Sequence, residues 1–179
     1  RQILIGKALG YNLPVFAHVP MILAPDRSKL SKRHGATSVE EFKEQGYLPE
    51  ALLNYLGLLG WSPGGNQEII TLGEMVKRFD LKKVQKNAAV YDLQKLIWLN
   101  SIYIKQLNVE HLTELALPFF QKYNKLDIHK EHNFLYRQKV VHALRERAKT
   151  LDEMGSTAPY FFKEDFLYDE KGVKKHLRK

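Results

Sequence analysis

Along most of this chain apolar residues return at helical rather than strand spacing. Gln2-Ile3-Leu4-Ile5-Gly6-Lys7-Ala8-Leu9 reads as an amphipathic helix, with Gly10 at the position that closes a helix in the left-handed conformation. Val15 to Val19, short and apolar between Pro14 and Pro20, predicts a buried strand of a parallel sheet. Ala24-Pro25-Asp26-Arg27 predicts a turn, because proline presets φ and aspartate tolerates the corner. Ser38-Val39-Glu40-Glu41 forms a capping box, and the helix it starts ends near Gly46. Pro49-Glu50 opens a helix over 51–59 that stops at Gly60. Its residues Leu52, Leu53, Tyr55, Leu56, Leu58 and Leu59 nearly encircle it, which predicts a central core helix. Ser62 to Asn66 is a loop, Thr71 and Glu74 form a second capping box, and Asp92 caps a helix carrying Leu93, Leu96, Ile97 and Leu99. From Asn108 onward the pattern is helical almost throughout. Leu112, Leu115, Phe119 and Phe120 share one apolar face, and Val140, Val141, Leu144 and Ala148 another. The aromatics Phe119, Phe120, Tyr160, Phe161 and Phe162 are assigned to the core, and the acid pairs Glu40-Glu41 and Asp152-Glu153 to helix starts.

Composition narrows the classes. The absence of cysteine among 179 residues excludes a disulfide framework, a thiolate zinc site, an iron–sulfur cluster and a thiol nucleophile. The longest apolar run, Ala51 to Trp61, is interrupted by Asn54 and falls far short of the ~20 residues that span a bilayer. With no signal-peptide pattern, a soluble, cytoplasmic protein without a membrane partner is expected. The chain opens at Arg1 directly into a helix and stops within a basic one, so it reads as a piece of a longer polypeptide. His129-x-x-His132 has helical spacing for a metal, but with Asp127 and Glu131 beside it a polar surface is expected, and no metal site.

Charge adds a partner class. A formal net charge of +8 favours a polyanion. The positive charge is gathered in four places: Arg27 to Arg33, Lys77 to Lys86, Arg137 to Lys149, and the tail from Lys171. Clusters spread over the whole length suit a long phosphate backbone better than one small anion; solvated helix faces are the alternative.

The loop Lys29-Leu30-Ser31-Lys32-Arg33-His34-Gly35 concentrates candidate chemistry. Two lysines flank a serine, and a glycine precedes a capped helix. Lysines supply mobile point charges, while serine and backbone amides supply aimed donors, a combination able to gather around a polyphosphate. Such groups count most where charge develops, as on a departing pyrophosphate. An exposed surface turn is the competing reading.

Lys29-Leu30-Ser31-Lys32-Arg33 resembles the second signature, KMSKS, of class I aminoacyl-tRNA synthetases, with Leu30 and Arg33 as variants. Pro14 to Pro20, Gly46-Tyr47-Leu48-Pro49-Glu50-Ala51-Leu52, Leu58-Leu59-Gly60-Trp61, Lys95-Leu96-Ile97-Trp98-Leu99-Asn100 and Arg145 to Leu151 are similar, in order, to the bacterial-type glutamyl-tRNA synthetases. The first signature of that family, His-x-Gly-His in outline, has no counterpart in this chain. The resemblance therefore implies the C-terminal-side portion of the enzyme, with the arginine that grips glutamate also lying upstream.

The resemblance implies a mainly α chain, α+β overall. Residues 1–24 would end a Rossmann catalytic domain, 25–107 would hold the signature loop and an α+β stem-contact domain, and 108–179 would begin a helical anticodon-binding bundle. Similar enzymes join glutamate and ATP, with Mg2+, into glutamyl-adenylate and pass the glutamyl group to the 3′ end of tRNA(Glu). Lys29 and Lys32 would contact phosphates, Ser31 would shape the loop, and the backbone of Met21 and Ile22 would meet the adenine edge. Lys82, Lys83 and Lys86 would contact tRNA phosphates, Arg145 would contact tRNA, and Arg147 would lie near the anticodon, unless it is a helix-face arginine without a base contact. The parent enzyme would be a monomer. This portion alone is expected to be inactive, and its uncovered apolar faces to invite self-association. The alternative is a stand-alone, non-catalytic RNA-binding module.

Overall fold

The computed structural model describes residues 1–31, 38–124, 133–162 and 170–177. The chain runs α1 (Gln2–Ala8), β1 (Ile22–Leu23), α2 (Val39–Glu44), α3 (Pro49–Leu58), α4 (Leu72–Arg78), a 3-10 turn (Leu81–Lys83), β2 (Ala89–Val90), α5 (Leu93–Gln106) and α6 (Val109–Asn124). Then come α7 (Phe134–Leu144), α8 (Leu151–Ser156), α9 (Pro159–Phe162) and α10 (Glu170–Gly172), the last leading into a π-turn over Val173–Leu177. The architecture is mainly helical with a small parallel pair of strands, β1 on β2, in the register Ile22 to Ala89 and Leu23 to Val90.

Local signals explain most of these boundaries. Gly10 adopts φ +71° after α1. Both capping boxes form: the Ser38 hydroxyl accepts the Glu41 amide at 3.2 Å, and Thr71 Oγ1 accepts that of Glu74 at 3.2 Å. The Asp92 carboxylate accepts the Lys95 amide at 3.1 Å and starts α5.

Two expectations fail. Residues 15–19 form no strand; Val15 is 99% exposed and Val19 74%. A strand needs a backbone partner, and among the described residues the parallel ladder goes to Ile22 and Leu23, extended by the Tyr91 amide donating to the Leu23 carbonyl at 2.7 Å. Apolar composition alone does not supply that partner. α3 is also one-sided rather than enclosed. Ala51, Leu52, Asn54 and Tyr55 are buried, while Leu53 and Leu56 are exposed, because α5 and α4 cover only part of its surface.

Two main cores meet along α5. The larger takes Leu48 and Ala51 from the α3 end, Ile104 from α5, and Leu112, Phe120, Val141, Met154 and Phe162 from the helices beyond. It therefore draws on residues from both sides of position 108. Of the five aromatics assigned to the core, Phe120 and Phe162 are fully inside, their rings 5.3 Å apart, whereas Tyr160 is half exposed and lies against Phe161. Asp152 on α8 accepts from Lys122 at 2.6 Å and from the Tyr123 hydroxyl at 2.9 Å on α6. The second core joins Phe42, Tyr47, Leu52, Tyr55 and Tyr91 to Leu96 and Leu99 of α5, with Ile22 and Leu30 packed on its edge. A smaller cluster of Trp61, Ile70 and Met75 lies under α4.

Candidate phosphate loop and nucleic-acid interface

The first candidate site is built by a tight return of the chain after β1. Arg27, at φ +63°, lets the backbone turn: its amide donates to the Ala24 carbonyl at 2.8 Å, and the Ala24 amide donates to the Ser28 carbonyl at 2.8 Å. The Asp26 carboxylate accepts from the Ser28 amide at 2.9 Å and its hydroxyl at 2.7 Å, which stiffens the corner. Lys29 then bridges antiparallel to Leu23, and the Leu30 amide reaches the Ile22 carbonyl at 3.3 Å.

This return sorts the side chains. Leu30 packs on the second core, whereas its neighbours Lys29 and Ser31 are exposed. An inward leucine thus anchors an outward lysine. The same return sets Lys29 opposite Leu23 and Leu30 against Ile22. Met21 is exposed, and the Ile22 carbonyl is occupied by Leu30. Lys32, with its neighbours Arg33 and His34, lies outside the described residues, as do His129 and His132. Beside β1 opens an apolar hollow of about 250 Å³ lined by Val19, Ile22, Leu56, Trp61 and Phe79 among others.

The middle basic cluster divides. Arg78 faces inward: its guanidinium donates to Gln67 at 2.6 Å and to the Pro63 carbonyl at 2.8 Å, so it pins the 62–67 loop. Lys82, Lys83 and Lys86 are exposed on the segment between α4 and β2, and none of them forms an ion pair among the described residues. The segment is held by the Gln85 amide on the Gly60 carbonyl at 2.8 Å and by Val84 bridged to Trp61. Three cations on a fixed support make a surface suited to a phosphate backbone.

The third cluster divides in the same way. Arg145 turns back to donate to the Lys105 carbonyl at the end of α5, and Arg137 is buried with its guanidinium 5.6 Å from the Phe134 ring. Arg147 is exposed on the turn between α7 and α8. Net charge along the sequence therefore overstates the outward cations, since two arginines in this stretch serve the fold.

The shifted groups are structural. Burial pushes the Tyr55 phenol up to about 12 and raises Tyr47, Tyr91 and Tyr103, so all four stay neutral at physiological pH. The Tyr55 oxygen accepts the Asp92 amide at 2.7 Å, at the start of α5. Among the described residues no three His, Asp or Glu side chains group to hold a metal ion, and no helix is long and apolar enough to cross a membrane.

Sequence reasoning passed over the buried amides of α3 and α5. Asn54, read only as a break in an apolar run, is wholly buried. It accepts from the Ile70 amide at 3.0 Å and the Tyr103 hydroxyl at 2.9 Å, and donates to the Glu68 carbonyl at 3.0 Å. Asn100 is equally buried. The available signal was a polar amide on an otherwise apolar helical stripe.

A helical chain with Lys29 exposed after β1 and cationic surfaces on separate supports matches known families over nearly its whole length. Residues 1–98 match the family described as tRNA synthetases class I (E and Q), catalytic domain, and residues 111–179 match the anticodon binding domain. The chain belongs to the class I tRNA synthetases of this E and Q type. It is 55% identical over 178 residues to the glutamate–tRNA ligase of Moorella thermoacetica, covering 99% of this chain and 36% of that protein. It is 51% identical to glutamate–tRNA ligase 2 of Thermoanaerobacter pseudethanolicus, covering 100% of this chain and 37% of that protein. Its fold is similar to the crystal structure of a glutamate tRNA ligase from Elizabethkingia meningosepticum in complex with its amino acid. That match has a TM-score of 0.74 and 34% identity, over 97% of this chain and 37% of that one. The chain thus spans a little over a third of the length of these relatives.

Proposed function

We propose that this chain serves a glutamate–tRNA ligase, presenting a phosphate loop to ATP and a cationic surface to tRNA(Glu). The likeness along 99% of the chain to glutamate–tRNA ligases carries this reading. In the reaction, a glutamate carboxylate oxygen attacks the α-phosphorus of ATP and pyrophosphate leaves. The 3′-terminal ribose hydroxyl of the tRNA then attacks the glutamyl carbonyl and releases AMP. Lys29 and Lys32 neutralise charge on the departing pyrophosphate, Lys32 foremost, and Ser31 shapes the loop. The backbone of Met21 and Ile22 borders the adenine. Magnesium arrives with the nucleotide phosphates.

On the RNA side, Lys82, Lys83 and Lys86 hold phosphates and set register without reading sequence. Arg147 meets the anticodon region, where an arginine can stack on a base or bond its edge. Arg145, turned onto α5, supports that turn from behind. The protein's contribution to the chemistry is positioning and charge stabilisation.

The test uses the whole ligase. Lys32→Ala is expected to slow glutamate activation by about 10²–10³-fold, the scale of losing one charge-stabilising group. Affinity for tRNA should move far less. An unaltered activation rate removes the phosphate role from the loop. The chain contains no His-x-Gly-His segment. Residues 1–179 alone, supplied with ATP, glutamate and tRNA(Glu), should give no ATP–pyrophosphate exchange above background, and clear turnover overturns that assignment.

A further inference from the structure

Asn54 and Asn100 are both buried, but they differ in what they join. Asn54 binds groups on Glu68 and Ile70, just before α4, and on Tyr103 of α5. Asn100 reaches in two directions. Its Oδ1 accepts the Leu48 amide, at the start of α3, at 2.8 Å, and its Nδ2 donates to the Lys149 carbonyl, in the turn before α8, at 2.6 Å. A backbone bond lies alongside, from the Leu151 amide to the Gly46 carbonyl at 2.9 Å. Gly46 is at φ +78°, and a Cβ there would stand 2.4 Å from the Asp152 nitrogen, so the two backbones are in direct contact. The matched catalytic-domain family ends at residue 98 and the anticodon-binding family begins at 111, and Asn100 sits between them.

The turn it holds is fixed on several sides. Arg145 donates to the Lys105 carbonyl, Ala148 is buried, and the Lys149 amide donates to the Glu153 carboxylate at 2.8 Å. Arg147 stands outward from the middle of this clamp. On the N-terminal side of Asn100 along α5, Leu96 and Leu99 pack in the core that carries Leu30. A single helix therefore supports the loop with its first turns and the arginine turn with Asn100. An aliphatic residue at 100 would fill space but leave the buried Leu48 amide unpaired, which is costly, and release the part-buried Lys149 carbonyl.

We propose that Asn100 is a positioning residue that keeps the Arg147 turn in register with the Lys29 loop, so that tRNA held at one is presented correctly at the other. This rests on the ligase reading above. Asn100→Asp makes it testable by pH. An ionised Asp still accepts the Leu48 amide but sets a negative oxygen against the Lys149 carbonyl. A protonated Asp donates there again, and burial raises its pKa.

The experiment measures aminoacylation by the whole ligase, wild type against Asn100→Asp, at about pH 6 and about pH 8. At the higher pH, KM for tRNA(Glu) should rise about tenfold while KM for ATP stays within about twofold. At the lower pH the tRNA gap should close. In Arg147→Ala, adding Asn100→Asp should cost little more than either change alone, as expected of groups acting in one unit. A parallel rise in both KM values, no recovery in acid, or fully additive losses overturns the proposal. If Asn100→Asp does not fold, spin labels on Lys77→Cys and Lys139→Cys, both exposed sites, compare the wild type with the milder Asn100→Ser. A distance distribution that broadens in Asn100→Ser supports the role of Asn100, and an unchanged one overturns it. A wild-type ligase that charges no tRNA(Glu) sinks the functional reading itself, whereas an active one that fails these comparisons sinks only the role of Asn100.

Discussion

At Gly155 the carbonyl oxygen of Phe119 stands 2.7 Å from where a Cβ would be, so α8 lies directly on the backbone of α6. Gly73 in α4 has open space at the same position. Gly155→Ala should therefore destabilise by about 1–3 kcal/mol, as overpacked sites do. Gly73→Ala should stabilise by about 0.4–1 kcal/mol, mainly by narrowing the unfolded ensemble. Urea unfolding midpoints of the two variants check the pair, and shifts of the same sign refute it. Sequence alone treats the two glycines alike, since the feature separating them is a neighbour 36 residues away. The cations teach the same lesson. Lys82 and Lys83 were legible as outward charges, but Arg78 and Arg145 look identical in sequence and turn inward to backbone carbonyls.

At the scale of elements, the caps were the most legible features because their partners lie three residues apart. Thr71 and Glu74 form both bonds of the box, the Thr71 amide reaching the Glu74 carboxylate at 2.9 Å. That amide is the main reason the carboxyl sits below its ordinary pKa. A lowered folded pKa means the cap contributes fully above the ordinary carboxylate value and is lost as pH falls through the folded one. The thermal midpoint should thus fall between about pH 6 and about pH 3 more in the wild type than in Glu74→Gln, which keeps an acceptor but does not titrate. Equal slopes would remove Glu74 from the acid response. The strand expected at 15–19 marks the opposite case. Its residues satisfy every local criterion, but a strand is defined by a partner, and here the pairing falls to Ile22 and Leu23.

For the whole molecule, the outward cations predict how RNA binding responds to salt. Under the proposed function, affinity for tRNA(Glu) should fall steeply between ~50 and ~200 mM salt, by orders of magnitude if several clusters engage. Replacing Lys82 and Lys83 with Ala should shallow the log–log slope by about two phosphate contacts without changing preference among tRNAs. An unchanged slope would take that surface out of the interface. Filter binding over a salt series gives the slope directly.

The chain's own order of residues determined its helices, their caps, the turn at Pro25, the cationic character of the surface and, through the run of similar segments, the family. These depend on neighbours within a few positions, where spacing and side-chain chemistry act directly. Tertiary structure alone decided which of two like residues faces in or out, that Ile22 and Leu23 rather than 15–19 take up the ladder, and that one core passes across position 108. It also placed Asn100 between Leu48 and Lys149, 52 and 49 residues away along the chain. Contacts of that kind are made by packing, and packing pairs residues whose separation no local pattern encodes.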